Sequence, residues 1–268
     1  MAMQRTLMVD DHAISYRVIG EGSPVMLVHG FGEDSRVWEK QEAVLEKHFR
    51  LILPDLPGSG ESEMTEDVSM EAMARVLKQI LDQLEIDTCI VVGHSMGGYI
   101  ALAFAELFPG SLSALGLFHS TAYADNEEKK TARRRGIEFI QEQGPAKFLE
   151  QSTRNLFSEE SRKKNPAEVQ EFVDRFTNFL AQSLVSYYEA MMQRPDRTKV
   201  LKEFAGPVMF IMGKHDTAIP PDQVLEQSHL PRLAYIQLLM HSGHLGMIEE
   251  EELSTGFLEK FLKDCTMP

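Results

Sequence analysis

The chain has 268 residues, 43% of them hydrophobic and 25% charged, the composition of a globular protein large enough for one domain carrying an insertion. Its formal net charge of −14, from 27 basic against 41 acidic side chains, speaks against a nucleic-acid partner, because such a surface repels phosphate. Two cysteines are too few for a disulfide framework, and no apolar run reaches the ~18 residues of a membrane span, so the expectation is a cytoplasmic protein without signal peptide or membrane partner.

Residues 4–9 and 12–19 read as two strands joined tightly at Asp10-Asp11. Val25 to His29 is a compact buried strand between Gly22-Ser23-Pro24 and Gly30. A helix over 38–47 and a strand over 51–53 follow, the strand cut off by Pro54-Asp55-Leu56-Pro57-Gly58. Met73, Val76, Leu77, Ile80, Leu81 and Leu84 recur at helical spacing and predict a helix with one apolar face over 70–84. Strand 89–93, with Cys89 buried in it, helix 97–108 and strand 112–118 continue the alternation. From about 121 to 205 no strand is predicted. That stretch reads as helices, one charged (127–135) and one striped by Phe172, Phe176, Phe179 and Leu180. Strand 208–213, a helix after Pro220-Pro221, strand 233–239 and helix 253–262 close the chain, with Cys265 in a terminal tail. The acidic run Glu249 to Glu252 reads as a solvated helix start rather than a metal site.

The alternation predicts an α/β fold with a mostly parallel, doubly wound sheet. Residues 1–120 and 206–268 are its two halves, and 121–205 an all-helical insertion between them.

Gly93-His94-Ser95-Met96-Gly97-Gly98 stands between a predicted strand and a predicted helix. A serine between glycines at such a junction is the sequence form of a nucleophile elbow, a turn too tight for side chains at 93 and 97. It lifts the Ser95 hydroxyl clear of the sheet and sets the next amide, that of Met96, at a helix start. Serine needs a base within reach, and the base needs an orienting partner. His244, in the loop His241-Ser242-Gly243-His244-Leu245-Gly246 after the last predicted strand, is the expected base. Loops at the carboxyl ends of parallel strands line the ligand crevice. His241, closer to the strand end, is the competitor. Asp216, in the loop after strand 208–212, is the expected acid, and Asp222 is expected to cap the next helix. His94 is expected to point away from Ser95, and His119 to be structural. An oxyanion hole needs two donors, for which the amides of Met96 and of Phe31 in His29-Gly30-Phe31-Gly32 are the candidates.

These pieces, with Asp55-Leu56-Pro57-Gly58-Ser59-Gly60-Glu61-Ser62, resemble the α/β-hydrolase family, in particular its capped serine esterase-like members. The resemblance implies an eight-stranded sheet, a Ser95, Asp216, His244 triad, a structural role for the Asp55 segment, and a helical cap (lid) over the active site formed by 121–205. Serine at 95 departs from the aspartate nucleophile of haloalkane dehalogenases and epoxide hydrolases. Phe31-Gly32-Glu33 departs from the loops of proline iminopeptidases and of many carbon–carbon hydrolases.

Within the cap, Phe139, Phe148, Phe157, Tyr187, Tyr188, Met191 and Met192 suggest an apolar lining. Tyr187, Tyr188, Met191 and Met192 are the substrate-binding candidates. Lys129, Lys130 and Arg133-Arg134-Arg135 read as a solvated helix face. The expected activity is hydrolysis of a small or medium carboxylic ester, with no cofactor and no metal. A lactonase, a thioesterase, a carbon–carbon hydrolase and a non-turnover receptor on the same scaffold are the alternatives. The sequence leaves the oligomeric state open.

Overall fold

In the computed structural model, which describes residues 3–266, eight strands form one sheet. They are β1 (Met3–Val9), β2 (His12–Ile19), β3 (Ser23–Val28), β4 (Phe49–Pro54), β5 (Cys89–His94), β6 (Leu112–Phe118), β7 (Val208–Gly213) and β8 (Ala234–Leu239). Their order across the sheet is β1-β2-β4-β3-β5-β6-β7-β8. β2 runs antiparallel to both β1 and β4, and every pairing from β4 to β8 is parallel. Asp10 and Asp11 both have positive φ (45° and 68°), the backbone of a tight hairpin turn between β1 and β2.

The helices are α1 (Glu39–Leu45), α2 (Met70–Gln83), α3 (Met96–Leu107), α4 (Glu127–Gln143), α5 (Pro145–Leu156), α6 (Glu159–Lys164), α7 (Pro166–Arg175), α8 (Ala181–Gln193), α9 (Thr198–Glu203), α10 (Pro221–Gln227), α11 (Gly246–Glu249) and α12 (Glu251–Thr266). Among the described residues, α4 to α9 all lie between β6 and β7.

The central strands are buried on both faces, so they read as continuous apolar runs. Their alternation still sorts side chains by face. Val91 and Met26 pack in one core with α2 and α3, whereas Ile90, Val92 and Leu27 pack in a second with α12. The helical spacing of α2 does the matching work, burying Met73, Val76, Leu77, Ile80 and Leu81. Its N-terminus is fixed by the Ser69 side chain accepting from the Ala72 amide, a cap worth about 1 kcal/mol.

Four expectations are corrected. The stripe Phe172, Phe176, Phe179, Leu180 does not lie on one helix: α7 ends at Arg175, α8 begins at Ala181, and Leu180 is 69% exposed. Thr177 and Asn178, both weak helix formers, occupy the break. Cys265 is half-buried in α12 rather than in a tail. Asp222 stands in the first turn of α10 but makes no cap bond. The acidic run is divided: Glu249 and Glu250 bond inward to the loop after β8, while Glu252 is exposed.

Candidate active site

All the predicted site residues outside the α4–α9 stretch lie at the carboxyl ends of parallel strands, where such sheets present their ligand crevice. Ser95 follows β5, Asp216 follows β7, His244 follows β8, and Phe31 follows β3. Ser95 itself has φ 50°, ψ −114°, a strained backbone held by its surroundings. A Cβ at Gly93 would stand 2.2 Å from the Gly97 carbonyl carbon, and one at Gly97 would stand 2.4 Å from the Val28 oxygen. Glycine is therefore sterically required on both sides of the serine.

The three loops converge. His244 Nε2 lies 2.8 Å from Ser95 Oγ, and its Nδ1 lies 2.7 Å from Asp216 Oδ2. Asp216 Oδ1 accepts from the amides of Ala218 (2.9 Å) and Ile219 (2.8 Å). Burial acts to raise the Asp216 carboxyl, but the charge of His244 and the bonds from His119 and His244 outweigh it and hold it well below the ordinary carboxylate range. An ionised carboxylate fixes the proton of His244 on Nδ1 and turns the Nε2 lone pair toward the serine. Met96, first residue of α3, presents an amide with no intrahelical acceptor.

His119 is more closely tied to this network than a merely structural residue. Its Nδ1 donates to the same Asp216 Oδ2 at 3.0 Å, and its Nε2 accepts from the Gly246 amide at 3.2 Å. Burial pushes its pKa down to about 4, so the ring is neutral. His119, Asp216 and His244 bring ligand-type atoms within 4.8 Å of one another. Both Nδ1 atoms face one carboxylate oxygen, which makes the cluster a hydrogen-bond network rather than a set of lone pairs converging on an ion.

The sequence reading missed Glu33. Its Oε2 accepts from the Gly30 amide (2.8 Å) and from His94 Nδ1 (2.9 Å), and His94 Nε2 donates to the His244 carbonyl oxygen (3.0 Å). Both ring nitrogens of His94 thus act as donors, the pattern of an imidazolium. Burial opposes both charges. The Glu33 charge and bond still raise the His94 pKa, and the His94 charge and bond with the Gly30 amide lower that of Glu33. This buried ion pair ties together the loops that carry Phe31, Ser95 and His244. His241 is exposed and bonds Glu160 (3.2 Å), away from Ser95. Asp55 is structural, accepting from the amides of Ser35 (2.9 Å) and Glu61 (3.0 Å). Glu249 steadies the His244 loop by accepting from Gly243 (2.8 Å) and reaches α6 by accepting from Ser158 and Ser161.

A cavity of about 120 Å³ opens on Ser95 and His244, walled by Phe31, Tyr99, Leu156, Tyr188, Met191 and Ile219, with Arg133 also in its lining. Phe31 stacks on Tyr188 with ring centroids 4.3 Å apart and planes 6° from parallel. Of the four substrate-binding candidates, Tyr188 and Met191 line this cavity, and Tyr187 and Met192 do not. Tyr187 is fully buried, its hydroxyl donating to the Pro57 oxygen (2.5 Å) and sharing a bond with Ser59 (2.8 Å). It anchors α8 to the Asp55 turn. Met192 lies one residue round the helix from Met191, off the cavity face. The basic cluster is also divided: Arg134 and Arg135 are exposed, whereas Arg133 turns inward.

The described residues contain no helix long and apolar enough to cross a membrane. Residues 23–251 match the alpha/beta hydrolase fold family, and the chain belongs to that family. Its structure is similar to that of a thermophilic esterase from Thermogutta terrifontis solved with malate bound, with a TM-score of 0.91 and 29% identity over the whole of both chains. A putative carbamate hydrolase, RutD, of Pantoea ananatis is 26% identical over 267 residues, 92% of each protein. A shorter match, 38% identical over 96 residues, links 35% of this chain to an uncharacterized protein of Mycobacterium tuberculosis, of which it spans 28%.

Proposed function

We propose that this protein is a serine hydrolase that cleaves a small carboxylic ester through an acyl-enzyme. Ser95 attacks the ester carbonyl while His244 Nε2 takes its proton. The amides of Phe31 and Met96 hold the oxyanion, each worth about 2.7–4 kcal/mol in the transition state. His244 then returns the proton to the departing alcohol, and Asp216 stabilises the imidazolium throughout. Water, deprotonated by the same imidazole, attacks the acyl-Ser95 ester and releases the acid. Helices α4–α9 act as the cap that closes the site from water.

The observation that carries this reading is the unbroken chain from Ser95 Oγ through His244 to Asp216, at 2.8 Å and 2.7 Å. Membership of the alpha/beta hydrolase fold family and the likeness to the Thermogutta esterase support the choice of ester chemistry. The small cavity supports a short substrate. The test is a panel of p-nitrophenyl esters, lactones and acyl thioesters, with Ser95→Ala as control. Hydrolysis led by short esters and lost in Ser95→Ala is expected. A panel led by lactones or thioesters overturns the substrate class, and turnover that survives Ser95→Ala overturns the mechanism.

A further inference from the structure

We propose that Arg133 binds a carboxylate, and that the substrate is therefore a short ester carrying a second, anionic carboxyl group near the scissile bond. This rests on the serine-esterase reading and adds the substrate's charge. Arg133 lines the same cavity as Ser95, beside Phe31, Tyr188 and Met191. It lies on α4, whose neighbouring arginines face solvent, yet its own side chain is only 17% exposed.

The charges around it do not cancel. Asp125, fully buried, is shared by two guanidiniums. Arg133 donates Nε (2.5 Å) and Nη2 (3.3 Å) to it, and Arg194 Nη1 lies 2.9 Å from its Oδ1. Arg194 is otherwise engaged: it donates to the Met191 oxygen (2.8 Å) and the Tyr123 oxygen (2.9 Å), and stacks 3.7 Å over the Tyr99 ring. Two cations against one anion leave one positive charge, and Lys129 stands beside the cluster. The other ion pair on the cavity wall, Glu33 with His94, is internally neutral. The Asp216 charge is taken up by four hydrogen bonds on the far side of His244.

Arg133 Nη1 has no acceptor among the described residues. A guanidinium sheltered by Tyr188, its carbon 5.4 Å from that ring centre, loses hydration and gains an incentive to pair. A planar fork of donors matches a carboxylate better than any neutral polar group. An apolar acyl chain would leave that donor to water alone. In a chain of net charge −14, a cation in the cavity wall is also the feature that offsets general repulsion of an anionic substrate.

The test compares monomethyl succinate with its neutral twin dimethyl succinate by pH-stat. The wild type is expected to favour the monoanion in kcat/KM. In Arg133→Gln the ratio of monoanion to diester falls by about 10- to 100-fold, the range of a charged hydrogen bond, chiefly through KM. Arg133→Lys, which keeps the charge but not the fork, is expected to lie between the two. Arg134→Gln, an exposed neighbour on α4, leaves the ratio at the wild-type value. Thermal melting verifies that each variant is folded. A wild type that prefers the diester, or a ratio that Arg133→Gln does not move, overturns the proposal. Succinate binding measured by calorimetry keeps the site testable apart from turnover. Binding lost in Arg133→Gln supports the carboxylate site even if no ester is cleaved, a result that would instead count against the hydrolase reading. Succinate binding unaffected by Arg133→Gln counts against the site itself.

Discussion

His119→Phe preserves a ring in a fully buried place and removes two bonds, the donation to Asp216 at 3.0 Å and the acceptance from the Gly246 amide at 3.2 Å. A hydrogen bond to a charged group contributes about 1.5–3 kcal/mol, and a buried amide left unpaired costs about 1–3 kcal/mol, so the variant should lose about 2.5–6 kcal/mol at about pH 8. Acid should narrow that gap. Burial holds the His119 pKa down to about 4 in the native protein. The unfolded chain titrates near 6.5, so below that pH it binds a proton the native ring rejects, and stability falls as pH falls toward the native pKa. Linkage puts the loss from this one group at about 2 kcal/mol between about pH 8 and about pH 5. Phenylalanine has no such proton to reject, so the deficit of the variant should shrink by about 2 kcal/mol over the same interval. Urea denaturation of both proteins across that range is the assay. A deficit below about 1 kcal/mol at the alkaline end, or one that does not change with pH, would refute a neutral His119 held between Asp216 and Gly246.

Asp216→Asn should lower kcat by about 10⁴-fold with the fold intact, because an amide no longer fixes the His244 proton on Nδ1; steady-state kinetics and a melting curve check it. Glu33→Gln should cost up to about 3–5 kcal/mol at about pH 6 by stranding the buried His94 charge. The raised His94 pKa means that its contribution is full below the unfolded value and is lost as pH rises through the native one, so this deficit shrinks in alkali, which urea titrations on both sides of neutrality will show. Gly93→Ala should prevent folding, since its Cβ would meet the Gly97 backbone at 2.2 Å; yield of folded protein by circular dichroism reads this out. Tyr187→Phe removes the bonds to Pro57 and Ser59 and should lower stability by about 1–3 kcal/mol, measured by denaturation.

Local chemistry was legible in the sequence wherever it is enforced by neighbours in the chain. Gly93 answers to a contact with Gly97 inside its own turn, and the apolar face of α2 answers to helical periodicity, whereas the Val28 oxygen that demands glycine at 97 comes from a distant strand. The order of strands and helices follows from the same periodicities. What escaped notice depends on loops that meet only once the sheet is built. Glu33 and His94 are 61 residues apart, and His119 and Asp216 are 97 apart, so no spacing marks them as partners. Glu33 is followed by Asp34, Ser35 and Arg36, so nothing in its own loop singles it out as the buried partner. Helical phase decides the rest: Tyr187 and Tyr188 are adjacent in sequence, yet one anchors α8 to the Asp55 turn and the other walls the cavity. The same rotation separates Arg133 from Arg134 and Arg135.

Mass spectrometry after brief exposure to a fluorophosphonate asks most directly whether the Ser95 oxygen has been made nucleophilic. A single phosphonyl adduct on the peptide carrying Ser95, absent from Ser95→Ala and strongly slowed in His244→Ala, is the predicted result. An unmodified intact mass in the folded wild type, or an adduct elsewhere with Ser95 untouched, would contradict the account.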